Sequence, residues 1–213
     1  IPSILHKMPF LTSVDFSYNN IQDVAFKAFP RHIESIQISN CGIERANAER
    51  MMETMKKWVE QLDLIPHPEG GYYREMYRSE GGIPAEDLGL TTGGIRSFAT
   101  SIYFLLEHGN PSKFHRIAFD ELWFFHAGSP ITVHSLHQEN GHQTMVLGGN
   151  HAYQGWVEAH TVFGSEVEEP GGWALVSCVV APGFDFKDFE ILEQTDLLEA
   201  FPEHASIIKK LNP

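Results

Sequence analysis

GNPSKFHRIAFDELWFFHAG, residues 109–128, has the spacing of a metal box with one ligand missing. Gly109, His115, Glu121 and Gly128 stand where such a box places a Gly, a His, a Glu and a closing Gly, and Ile117 stands where a second His is expected. Side chains two apart on a strand share a face. A His-x-His pair therefore sends two imidazoles to one side of a sheet, and His115-Arg116-Ile117 sends one imidazole and one aliphatic side chain. A Zn or Fe site uses three or four protein ligands, so the expectation is a pocket strand pair with no resident metal. Its alternative is a weakly held divalent ion on His115 and Glu121.

The surrounding sequence is a succession of short strands. From Gly70 onward, apolar or alternating runs such as GYYREMYR, RSFATSIYFLL, PITVHSLH and GWALVSCVVA are broken by Gly-Asn-Pro, Gly-Ser-Pro, Asn-Gly and Pro-Gly. Strands at such regular spacing predict an all-β barrel or sandwich. ERANAERMMETMKKWVEQLDL, residues 44–64, predicts a helix ended by Pro66 and Pro68, and residues 195–211 predict a short closing helix carrying Leu197, Leu198, Phe201, Ile207 and Ile208.

Four blocks carry a resemblance. HPEGGYYRE at 67–75, IYFLL at 102–106, FHRIAFDELWFFHAG at 114–128 and LVSCVVAPGFDFKDFEI at 175–191 occur in the order of the cupin family known as DUF985, or cupin-5, and the chain resembles it over about residues 59–203. The resemblance implies a double-stranded β-helix (a jelly-roll barrel) with flanking helices, a homodimer, and a ligand pocket inside the barrel. It does not by itself imply an activity. In the general second cupin motif, WVEAHTVFG at 156–164 puts Phe163 at the ligand position. His160 lies an odd number of residues away, on the other face of a strand.

The amino-terminal part reads differently. LTSVDFSYNNI at 11–21 and IESIQISNCGI at 33–43 fit one template, with Leu11, Val14, Phe16, Asn19 and Ile21 matching Ile33, Ile36, Ile38, Cys41 and Ile43. The template resembles a leucine-rich repeat. The expected organisation is a repeat-like piece at 1–48 and a cupin domain at 49–213.

Candidate ligand-binding residues are Arg74, Glu75, Arg96, Tyr103, His115, Glu121 and Trp123. Aromatic faces suit a ring-shaped ligand, and an Arg fork suits a carboxylate or phosphate. Three functions follow. One is a cupin that binds a small polar or sugar-like molecule. The second is an isomerase or epimerase resembling the deoxysugar-nucleotide epimerases, with His115 as base and Tyr73 or Tyr103 as acid. The third is a protein-interaction module working through the repeats.

A formal net charge of -13, from 28 acidic and 15 basic residues, disfavours nucleic acid and anionic membrane as partners. No apolar run is long enough to span a bilayer, and no secretory leader or glycosylation sequon is legible. With two cysteines, Cys41 and Cys178, and no disulfide framework, the expected compartment is the cytoplasm.

Overall fold

The computed structural model describes the backbone of residues 13–15, 35–37 and 42–213, and side chains from residue 51 on. The chain divides into two compact units between Glu53 and Thr54. In the first, β1 (Ser13–Asp15) and β2 (Ser35–Gln37) pair in parallel, with Val14 opposite Ile36. Leu11, Phe16, Asn19, Ile21, Ile33, Ile38 and Cys41 lie outside the described residues, and the repeat reading has no support from the structure. Helix α1 (Gly42–Gln61) contains the division between the units. Among the described residues no helix is long and apolar enough to cross a membrane.

The second unit is an all-β double-sheet barrel. A six-stranded antiparallel sheet runs in the order β12 (Gln154–Val157), β9 (Glu121–Gly128), β14 (Trp173–Val180), β7 (Thr100–Glu107), β4 (Tyr72–Arg78), β3 (Ile65–Pro66). A five-stranded antiparallel sheet runs β11 (Gly141–Leu147), β10 (Ile131–His137), β13 (Val162–Glu166), β8 (Ser112–Arg116), β15 (Glu190–Ile191). A separate ribbon pairs β5 (Gly82–Pro84) with β6 (Ile95–Ser97).

Strand parity places the core between the sheets. Phe104, Trp123 and Val176 from the larger sheet meet Ile131, Val133 and Phe163 from the smaller. The opposite parity of the smaller sheet is also buried. Phe114, Leu136 and Val162 face α2 (Gln194–Ala200) and α3 (Ala205–Leu211) through Leu197, Phe201, Ile208 and Leu211. The single closing helix expected from sequence is thus two, parted by a short turn at Pro202–His204, where Pro202 cannot continue the helical hydrogen bonds. Asn212 fastens the end: its amide donates to Leu192 O and its Oδ1 accepts from Phe114 N–H.

Two turns bear on the site. Gly70 and Gly71 adopt φ of 124° and 68°, as the HPEGG bend requires, and a Cβ on Gly70 would lie 2.1 Å from Pro111 O. The Pro182-Gly183 turn is not the type II turn the dipeptide suggests. The bond before Pro182 is cis, and Gly183 is needed for space, since a Cβ there would sit 2.2 Å from Ser97 Oγ.

Arg96, 1% exposed, anchors the segment between β14 and β15. Its guanidinium holds Asp188 bidentately (Nε–Oδ2 2.5 Å, Nη2–Oδ1 2.8 Å) and donates to Gly93 O and Thr92 Oγ1. This pairing holds the Asp188 carboxyl below its usual range. Arg96 therefore does not line a ligand pocket; it is a structural ion pair. Arg96→Met leaves Asp188 buried without its partner and is expected to lower unfolding stability by about 3–5 kcal/mol. The double variant Arg96→Met with Asp188→Leu should recover most of that loss. Urea denaturation of the three proteins checks both.

Candidate functional site

A cavity of about 280 Å³ opens inside the barrel. Its walls come from strands that each contribute side chains two apart: Tyr73 and Glu75 from β4, Ile102 and Phe104 from β7, Glu121 and Trp123 from β9, Cys178 and Val180 from β14. On these strands parity selects the lining. The mouth lies at Glu75, Arg78 and Phe186, which are partly exposed, and the floor at the buried His115 and Trp123.

Two bulges break parity where the chemistry needs it. On β8, Phe163 pairs with His115 and Ser165 with Ser112, so β8 carries one extra residue. Ser112 and His115, three apart, therefore both reach Glu69. On β4 the register shifts between Glu75 and Tyr77. Arg78 consequently faces the same side as Glu75 and grips it with two bonds of 3.0 and 2.7 Å, while donating also to Phe184 O.

The floor holds a shared proton. His115 Nδ1 lies 2.7 Å from Lys113 O, so Nδ1 carries the hydrogen and donates it. Nε2 then faces Glu69 Oε2 at 3.2 Å. Burial lowers the His115 pKa and raises that of Glu69, and both shifts favour neutral groups. Glu69 therefore keeps the proton and donates it to Nε2, while its other oxygen accepts from Ser112 Oγ at 2.9 Å. Glu121 lies within electrostatic reach of His115. It lines the cavity, and burial pushes its pKa up to about 7. Trp123 Nε1 donates to Glu121 Oε2 at 3.0 Å, and the Cys178 thiol also bonds this carboxyl. Burial and the nearby carboxylates push that thiol well above its usual range, which makes it a donor and not a nucleophile.

Of the residues singled out from sequence, His115, Tyr73, Glu75, Glu121 and Trp123 come together on the cavity. Tyr103 does not. It lies on the opposite face of β7, with its ring 5.8 Å from that of His126. Arg74 lies on the opposite face of β4 from Tyr73 and Glu75, and bonds Asp63 and Leu62 O. Both ring nitrogens of His115 are engaged, so the groups left to meet a ligand directly are Glu69 and Glu121. His67, Glu69, Arg78, Phe184, Asp185 and Phe189 also line the cavity and were not singled out. The one signal for Glu69 was an acidic residue held between Pro68 and Gly70-Gly71, a bend too tight to leave it free.

At the expected metal-ligand positions, Ile117 is buried on the cavity wall, and the Phe163 ring lies 4.2 Å from the His115 imidazole. His160 is exposed, with φ of 62°. Among the described residues no group of three or more His, Cys, Asp or Glu is placed to hold a metal ion. The donor set does not fit a Zn or Fe centre.

A family model described as Cupin superfamily (DUF985) matches residues 56–192. The chain belongs to this family of cupins. Uncharacterized protein YML079W of Saccharomyces cerevisiae is 28% identical over 189 residues, spanning 80% of this chain and 94% of its own. Protein SO0799 of Shewanella oneidensis, a crystal structure, is 37% identical with a TM-score of 0.66, covering 74% of this chain and 96% of that one. A hypothetical protein from Leishmania major is 35% identical with a TM-score of 0.67, covering 74% and 97%.

In this cupin the raised Glu121 pKa has a sign that can be tested. The folded carboxyl binds a proton more tightly than the unfolded one, whose ordinary value is 4.5. Between that value and about 7 the native state holds more protons, so this group's contribution to stability falls as pH rises. Glu121→Gln should remove that slope. Relative to wild type it should gain on the order of 2 kcal/mol between acid and neutral pH, after allowance for screening through the cavity. Melting curves across this range check it, and parallel pH profiles for the two proteins would contradict it.

Proposed function

We propose that this cupin binds a small organic molecule in the barrel cavity and exchanges a proton with it. The observation that carries the reading is the pair of buried carboxyls, Glu69 and Glu121, that share an aromatic-walled cavity with His115. Phe104, Trp123, Phe184 and Phe189 supply apolar faces for a ring or short chain. Both carboxyls have raised pKa values, that of Glu121 up to about 7, and together they supply a proton source and sink.

An isomerase-like chemistry is the second reading, favoured by Glu121 titrating near 7. As carboxylate, Glu121 takes a proton from a carbon next to a carbonyl, and the electron pair moves to the carbonyl oxygen. The electrons then return to carbon as it is reprotonated from Glu69, with His115 Nε2 as the neighbouring proton carrier. A sugar-nucleotide version of this chemistry has less behind it. Arg78 is the only Lys or Arg on the cavity among the described residues, and Glu75 already holds it, so a diphosphate finds no free cation.

Ligand-observed NMR in D2O with a panel of small ring-bearing carbonyl compounds tests both readings. Binders are expected with wild type and lost in Ile102→Trp, which fills the cavity. Binding that survives Ile102→Trp would overturn the cavity reading. Deuterium should enter beside the carbonyl with wild type and not with Glu121→Gln. Binding without exchange would remove the isomerase reading alone.

A further inference from the structure

The cavity's charges and hydrogen-bonding groups are unbalanced in one direction, and this narrows what it takes. Four carboxyls line it, Glu69, Glu75, Glu121 and Asp185, against one guanidinium, Arg78. Arg78 is bound to Glu75 through two nitrogens and Asp185 lies 3.9 Å from Arg96 Nη1, which leaves Glu69 and Glu121 without a Lys or Arg partner. The donors are engaged as well. Trp123 Nε1 is given to Glu121, Ser112 Oγ to Glu69, and the remaining Arg78 hydrogens to Ser97 Oγ and Phe184 O. The lining thus offers mainly acceptor oxygens, with the Tyr73 and Thr100 hydroxyls as its unengaged O–H donors.

The aromatic groups are arranged to match. His67 meets Tyr73 edge-on at 4.5 Å and Phe189 at 5.9 Å, and stacks with Phe186 at 6.1 Å. Phe184 meets Phe186 and Phe189 edge-on at 5.0 and 5.8 Å. Edge-on packing turns ring faces toward different sides of the enclosure. A ring face attracts a cation through its quadrupole, more strongly in a desolvated site. An ammonium brings three donors and no acceptor, the complement of a wall rich in carboxyl oxygens. A carboxylate or phosphate ligand would find no free cation there, and from neutral pH upward would face the Glu121 carboxylate across low dielectric.

Resting on the reading of this cavity as the binding site, we infer that its ligand is an organic cation: a primary ammonium or an amidinium on a ring or short apolar body, with the charge at Glu121 and the body among the phenylalanines. The raised pKa of Glu121 gives the pocket a way to answer the charge. A bound cation favours the carboxylate, so binding near neutral pH expels a proton.

Three probes with one ring and three charges test it: benzylamine, benzyl alcohol and benzoate, titrated into the full-length protein by calorimetry in buffers of differing ionisation heat. Benzylamine is expected to bind at least about tenfold more tightly than either of the others, with net proton release at neutral pH. Ile102→Trp should abolish its binding, and Glu121→Gln should weaken it about tenfold, several times more than it weakens benzyl alcohol. Benzyl alcohol or benzoate binding as tightly as benzylamine would overturn the cation assignment and leave the cavity reading standing. Benzylamine binding that survives Ile102→Trp places the cation on the acidic outer surface and overturns the assignment. Failure of all three probes to bind overturns it too, and takes support from the cavity reading as well.

Discussion

A carboxyl group inside a closed barrel has to be protonated or paired, because low dielectric makes an isolated charge there very unfavourable. Glu69 and Glu121 both face that condition, with His115 against Glu69 and within electrostatic reach of Glu121. The backbone carbonyl of Lys113 fixes the imidazole tautomer, the tautomer leaves Nε2 as an acceptor, and the acceptor keeps the Glu69 proton in place. Ser112, Trp123 and Cys178 satisfy the remaining oxygens. The floor of the site is a network with its hydrogen bonds answered, which is how a polar group stays in a core at modest cost.

The barrel holds that network by ordinary sheet geometry. Two antiparallel sheets stack with one parity of each strand turned inward, and the inward set fills most of the interior with Phe104, Trp123, Val133, Val176 and Phe163. Besides an irregularity in the β14–β9 pairing, the fold departs from strict alternation at bulges on β4 and β8, and these two serve the site: one turns Arg78 onto Glu75, the other turns Ser112 and His115 onto Glu69. The α2–α3 pair covers the outer parity of the smaller sheet, so β8 is buried on both faces and His115 is held from behind through Phe114.

Much of this was legible in the residues. Short strands between Gly- and Pro-rich turns gave the all-β class, and the spacing around His115 and Glu121 located the pocket strands. Alternation also contained a warning that went unused. Tyr73, Arg74 and Glu75 are consecutive, so they cannot all face one cavity, and Arg74 is the one turned away. Tyr103 was harder, because TSIYFLLE is buried or half-buried along its whole length and offers no polar parity to read. Glu69 belongs to a turn with no period at all, and Ser112 and Arg78 reach the site only through bulges. The Arg96–Asp188 pair joins residues 92 apart in the chain, which no local pattern displays. The amino-terminal template rested on residues of which the structure describes too few to support a repeat.

The central claim is that the floor of the cavity is electrically neutral at its His115–Glu69 pair and titrates at Glu121. Nitrogen-15 and carboxyl carbon-13 NMR of the ligand-free protein across a pH series reads it directly. The expected result is a neutral, Nδ1-protonated His115 from mildly acid to mildly basic pH, with one glutamate carboxyl, removed by Glu121→Gln, titrating near 7. An imidazolium at His115 at neutral pH, or a Glu121 resonance titrating at the ordinary glutamate value, would contradict the account.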